Sequence, residues 1–307
     1  MNRLTLWIAL SLVVPGLAQT PEPPAAADVV ADVARPALDQ AAIEILERAR
    51  RAQDPHNVAH LVVGFRGEAG YRLMERKEDG SIGDDLQGRI AQYWMMRDGP
   101  EGGHESAYRR ELTADVSKKP DVQVATFDGR YFRLDGTRPV SMSSKDYEPD
   151  RNRLALERRR IGHIFELFLL QRLQPLPGSL KLRPETERLV FLIGRSQRSG
   201  VEVDVVTQVV DLQDQIGRQV TLWIDTKDSR VVRARVVEPG FTEEYQLWGH
   251  TALPVHTPDG DRSVFIPLKV QYLENGQVTL EVQAKERDVS LQPFTDREVQ
   301  KWFSYPE

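Results

Sequence analysis

An α+β chain built mostly of antiparallel β-sheet is what this sequence predicts, and three observations predict it. From residue 58 onward apolar residues recur in short runs with a period of two. In residues 219–225, for example, Val220, Leu222 and Ile224 alternate with Gln219, Thr221, Trp223 and Asp225, the pattern of a strand with one buried face. Turn signals such as Glu78-Asp79-Gly80, Asp98-Gly99-Pro100, Asp128-Gly129 and Glu274-Asn275-Gly276 separate the runs, and connections that short join antiparallel neighbours. The 3.6-residue period of a helix is confined to a few stretches.

In chain order, Arg3 precedes an apolar run over residues 4–14 and then Pro15-Gly16-Leu17-Ala18. This reads as a signal peptide, residues 1–18, cleaved after Ala18, so the mature chain is expected to be soluble and periplasmic or otherwise extracytoplasmic. An uncleaved membrane anchor is the alternative. Residues 19–36, rich in Pro and Ala, are expected to form a flexible leader. One domain is expected over residues 37–307. Its first helix enters at Pro36 and sets Leu38, Ala42, Ile45, Leu46 and Ala49 against Glu44, Glu47, Arg48 and Arg51, stopping at Asp54-Pro55.

Strands are expected over residues 58–66, 71–77, 89–97, 106–114, 122–127 and 131–134. A helical insertion near residues 150–175 follows, charged at its start (Arg151, Arg153, Glu157, Arg158, Arg159, Arg160) and apolar at its end (Ile161, Ile164, Phe165, Phe168, Leu169, Leu173). A second strand series is expected over residues 189–193, 201–207, 218–225, 231–237, 243–247, 264–272 and 278–285. Thr295-Asp296-Arg297-Glu298 then forms a capping box, with Phe294 and Val299 placed as a hydrophobic staple, and opens a short last helix.

Composition narrows the function. The chain has no cysteine, hence no disulfide framework, thiol nucleophile or acylated cysteine anchor. Its net charge of −5, with both signs interspersed, argues against a nucleic-acid partner. No Gly-x-Ser-x-Gly, phosphate-cradling glycine loop or His-Glu-x-x-His is present. His56 and His60 are spaced four apart, but Pro55 takes them off a helix, and the turn from His256 to Asp261 reads as a plain hairpin. No catalytic residue, metal or cofactor is expected, and the chain is read as a binding protein, not an enzyme.

Residues 220–225 (Val-Thr-Leu-Trp-Ile-Asp), 232–235 (Val-Arg-Ala-Arg) and 265–270 (Phe-Ile-Pro-Leu-Lys-Val), followed by a glycine-turn hairpin, together resemble the LolA/LolB-like lipoprotein-carrier superfamily. The resemblance implies an incomplete antiparallel β-barrel, a strongly curved sheet with helices covering its concave face. It also implies an apolar cavity between sheet and helices that takes acyl chains of a lipid or lipoprotein, in a carrier or a sensor. The expected lining is Phe165, Phe168, Leu169, Leu222, Ile224, Val236, Ile266, Leu268, Leu280 and Val282, the alternative for the three helical residues being that they only fill the core. Arg153, Arg158 and Arg159 are candidates to meet anionic headgroups or a membrane-associated protein partner, the alternative being a solvated helix face. The chain is expected to be a monomer. A second function class stays open: an extracytoplasmic protein-interaction module with a filled core and no ligand.

Overall fold

The strands pair, without exception among the described residues, antiparallel and in a single sheet. The computed structural model describes residues 31–73, 86–98, 104–114, 119–168, 170, 173–193, 201–274 and 277–304. The signal peptide expected at residues 1–18 and most of the leader lie outside them. The chain divides into residues 1–37 and a compact unit of residues 38–307, and the fold that follows is that of the second.

The first meander comprises β1 (Gly64–Leu73), β2 (Leu86–Asp98), β3 (His104–Ala114), β4 (Asp121–Ala125), β5 (Tyr131–Asp135) and β6 (Arg138–Ser141). The second comprises β7 (Lys181–Leu182), β8 (Glu187–Ile193), β9 (Val201–Gln213), β10 (Gln219–Asp225), β11 (Val231–Glu238), β12 (Phe241–Thr257), β13 (Gly260–Glu274) and β14 (Gln277–Ser290). The helices are α1 (Ala31–Gln53), α2 (Glu148–Phe168) and α3 (Asp296–Phe303). Pairing of β1 with β14, from Arg66 opposite Ser290 to Leu73 opposite Leu280, stitches the two meanders into one sheet. The sheet stays open, with β6 at one edge and β7 and β8 at the other. This is the incomplete barrel expected.

Several boundaries differ from the sequence reading: β9, β12 and β14 run past their expected ends, to Gln213, Thr257 and Ser290, and two differences lie at the start of the domain. Residues 58–66 and 71–77 are not two strands. Asp54 accepts the backbone N–H groups of Val58 and Ala59 at 2.9 and 2.7 Å, which winds Ala59–Leu61 into a 3-10 turn and delays β1 to Gly64. The helix expected from Pro36 begins earlier, at Ala31.

The core lies on the concave face. There α1 lays Ala42, Ile45, Leu46 and Ala49, and α2 lays Leu154, Ile161, Ile164 and Phe165, against Trp94, Val220, Leu222, Val236, Leu247 and Ile266 of the strands. The other face is covered in two places. On β2 to β4, α3 sets Phe294, Trp302 and Phe303 over Tyr93, Met95, Ala107 and Phe127, held by its capping box and by Arg66, which pairs with Glu298 at 2.8 Å. At the far end β9 divides its pairing at Thr207, giving residues 207–213 to β10 and residues 201–207 to β8. The β8–β9 hairpin thereby curls back until Phe191 meets Trp248 of β12 at 5.7 Å, although three strands lie between them in the sheet.

The longest hairpin, β12–β13, bends at Gly249, whose φ of +67° is costly for a residue with a side chain. Beyond the bend, residues 250–257 and 260–267 pair with each other, while β11 pairs only with the first part of β12 and β14 only with the last part of β13. This arm still buries Leu253, Val255, Val264 and Ile266 in the core beneath it.

Candidate functional site

The helix α2 organises the concave side, because its two flanks are attached in different ways. Along one flank, and at Glu157 and Arg160 on the side that also borders a crevice, it is pinned by charge. Glu157 takes Arg110 of β3 at 2.5 Å, and Arg110, 2% exposed, also donates to Gln123 at 2.8 Å. Arg158 donates to Ser106 at 3.0 Å. Arg159 pairs with Glu238 at 3.2 Å and lies over the Phe241 ring. Arg160 pairs with Glu243 at 2.6 Å, and Glu166 with Arg218 at 2.7 Å. His163 sets Nε2 3.2 Å from Glu238 and Nδ1 3.1 Å from the Tyr245 hydroxyl, which donates to Glu243 at 2.5 Å. Burial, with Arg218 nearby, pulls His163 down to about 4. Burial and the Glu243 charge hold the Tyr245 hydroxyl well above its ordinary range. Pairs this dry are weak evidence for stability but strong evidence for placement.

The other flank of α2, toward β1, β13 and β14, is apolar and incompletely filled. A crevice of about 50 Å³ is bounded by Phe65, Ile161, Phe165, Ile266 and Val289. A second, of about 70 Å³, is bounded by Tyr71, Ile90, Arg153, Leu156 and Leu280. They share Gln92, Tyr272 and Val282. Trp94 stacks face to face on Phe165 at 4.8 Å and so forms a floor behind the first. Larger depressions, about 530 Å³ beside Arg130 and Ser141 and about 630 Å³ along α1 at Glu44 and Arg48, are shallow and open to solvent.

Of the cavity residues expected from sequence, Phe165, Ile266, Leu268 and Val282 line the first crevice, and Leu280 and Val282 the second. Leu222, Ile224 and Val236 are not among the linings; they sit at 0%, 1% and 2% exposure within the packed core. The Phe168 side chain and Leu169 lie outside the described residues. Of the expected headgroup residues, Arg153 borders the second crevice, whereas Arg158 and Arg159 belong to the pinned flank. Sequence reasoning missed Phe65, Gln92 and Tyr272, and it missed Arg110, whose parity with Tyr108 along β3 was the available signal for an inward-facing charge.

No protein-family model and no curated protein matches the chain. Its fold is similar to that of LolA-superfamily proteins. One is a LolA superfamily protein from Nitrosomonas europaea, 12% identical over 86% of this chain and 97% of that one, with a TM-score of 0.39. A DUF1329 family protein from Desulfovibrio piger is 10% identical over 82% and 92%, with a TM-score of 0.40. MucB is 16% identical over 84% and 62%, with a TM-score of 0.23. Likeness at this level assigns no ligand and no residue role. Among the described residues no helix is long and apolar enough to cross a membrane, and no three His, Asp or Glu side chains converge as metal ligands.

Proposed function

We propose that this is an extracytoplasmic binding protein, a carrier or sensor, that holds an acyl chain of a lipid or lipoprotein between α2 and strands β1, β13 and β14. The observation that carries the reading is the unequal attachment of α2: four polar anchors on one flank, at Arg158, Arg159, His163 and Glu166, and incompletely filled, largely apolar contact on the other, bordered by the paired Glu157 and Arg160. The two crevices, about 50 and 70 Å³, are far below the several hundred Å³ of a ligand site. Entry of a chain therefore requires the crevice walls to part. Each methylene moved out of water contributes about 0.8 kcal/mol, so affinity needs no charged partner. Residues 1–18 serve as the signal peptide in this reading, and the exported protein is a monomer.

Native mass spectrometry of the exported protein, followed by solvent extraction, tests the proposal. A stoichiometric acyl lipid is expected. A clean apo mass, with no uptake of added dodecanoate, overturns it and moves the assignment to a protein-interaction module. That second reading draws on the solid packing of Leu222, Ile224 and Val236. It also draws on the outward-facing valines of the β8–β9 hairpin, Val190 and Val206, at 55% and 39% exposure.

A further inference from the structure

We infer that the crevice takes a single-chain amphiphile with an anionic head, the tail lying along Phe65, Ile161 and Phe165 and the head on Arg153. This rests on the acyl-chain reading above and adds the ligand's polarity and direction. The two crevices are neighbours that share Gln92, Tyr272 and Val282 as lining but differ in chemistry. The first carries no charged side chain among its described lining residues. The second adds Arg153, Glu157 and Arg160. Two of these three charges are already committed: Arg160 to Glu243 at 2.6 Å, and Glu157 to the buried Arg110 at 2.5 Å.

Arg153 is not committed in the same way. It reaches Glu157 through Nε alone, at 3.3 Å, on the same Oε1 that Arg110 holds, and its side chain is 46% exposed. Its Nη1 and Nη2 make no bond among the described residues. A guanidinium with both terminal nitrogens free presents a planar fork that matches a carboxylate or phosphate. Set at the polar end of an apolar slot, it selects a ligand with an anion at one end and hydrocarbon at the other. A single-chain amphiphile is the smallest ligand of that form and asks the least opening of crevices of about 50 and 70 Å³.

The test is calorimetric titration of the exported protein with dodecanoate, dodecyl phosphate, dodecanol and dodecyltrimethylammonium, each below its micelle concentration. One or both anions are expected to bind about tenfold more tightly than the alcohol or the cation, and the carboxylate and phosphate arms identify the head. Arg153→Gln is expected to erase that preference, the two anions then binding no more tightly than dodecanol. Arg89→Gln, a 75% exposed arginine on the opposite face of β2, is expected to leave it intact. Equal binding of all four amphiphiles, or a preference that survives Arg153→Gln, overturns the inference and leaves the acyl-chain reading standing. Binding of none overturns both.

Discussion

Arg110 shows how one side chain fixes the placement of a helix. It projects from β3 into the concave core with 2% of its side chain exposed, and its charge is met by Glu157 of α2. Removing one member of such a pair strands the other in a dry site. Arg110→Met is therefore expected to cost about 3–5 kcal/mol in urea denaturation, because Glu157, 12% exposed, keeps only the long contacts from Arg153 Nε at 3.3 Å and the Tyr108 hydroxyl at 3.5 Å. Adding Glu157→Leu to that variant is expected to recover most of the loss, since an apolar pair of similar volume suits the site. A loss under about 1 kcal/mol for the single variant means the pair does not hold α2. The residue types along β3 were legible in the sequence, and so was their alternation. Which parity faces inward was not, because a shift of one residue exchanges the two faces and only pairing with β2 and β4 decides it.

At the scale of elements, the helices and most strands could be read from period and punctuation, while bends and roles could not. The capping box at Thr295 and Glu298 is formed as expected from its four residues, because a cap is a local bargain between neighbours in sequence. The arginines of α2 were read as a solvated or headgroup-facing row. Most are spent on partners as distant in sequence as Glu238 and Glu243, and no local signal announces a partner that far away. The outer half of β12 went unread because Gly249 and Pro254 interrupt its alternation, yet β12 runs to Thr257 by pairing with β13. Gly249 is the point where that strand turns out of the sheet. Gly249→Ala, forced to hold a φ of +67°, is expected to lower stability by about 1–2 kcal/mol, read as a lower thermal midpoint, with the loss concentrated in amide protection of residues 250–267. An unchanged midpoint means the arm does not depend on that bend.

At the scale of the whole molecule, acid is the condition to which the fold is most sensitive. Burial pulls both His163 and His250 down to about 4, from an ordinary value of 6.5. The unfolded chain therefore takes up these protons before the folded one does, and stability falls as pH drops from 6.5 toward 4. Glu298 works in the same direction lower down, held at about 2 by the Thr295 backbone N–H and Arg66, so its contribution is lost as pH falls from 4.5 toward 2. A thermal midpoint level above about pH 7.5 and declining steadily below 6.5 is expected. His163→Phe is expected to flatten the first part of the decline by roughly 2 kcal/mol at about pH 5. An unaltered slope in that variant shows that the histidine is protonated as easily inside the fold as outside it.

The pairing of β1 with β14 also governs when the fold can be finished. The inner neighbour of β1 begins at Gln277, near the end of the chain, so a polypeptide made or threaded N-terminus first has its opening strand on hand long before that neighbour exists. Closing a loop that long is slow compared with forming the hairpins within it. The early meander must wait with one edge bare, and arrival of the last strands is the event that locks it shut.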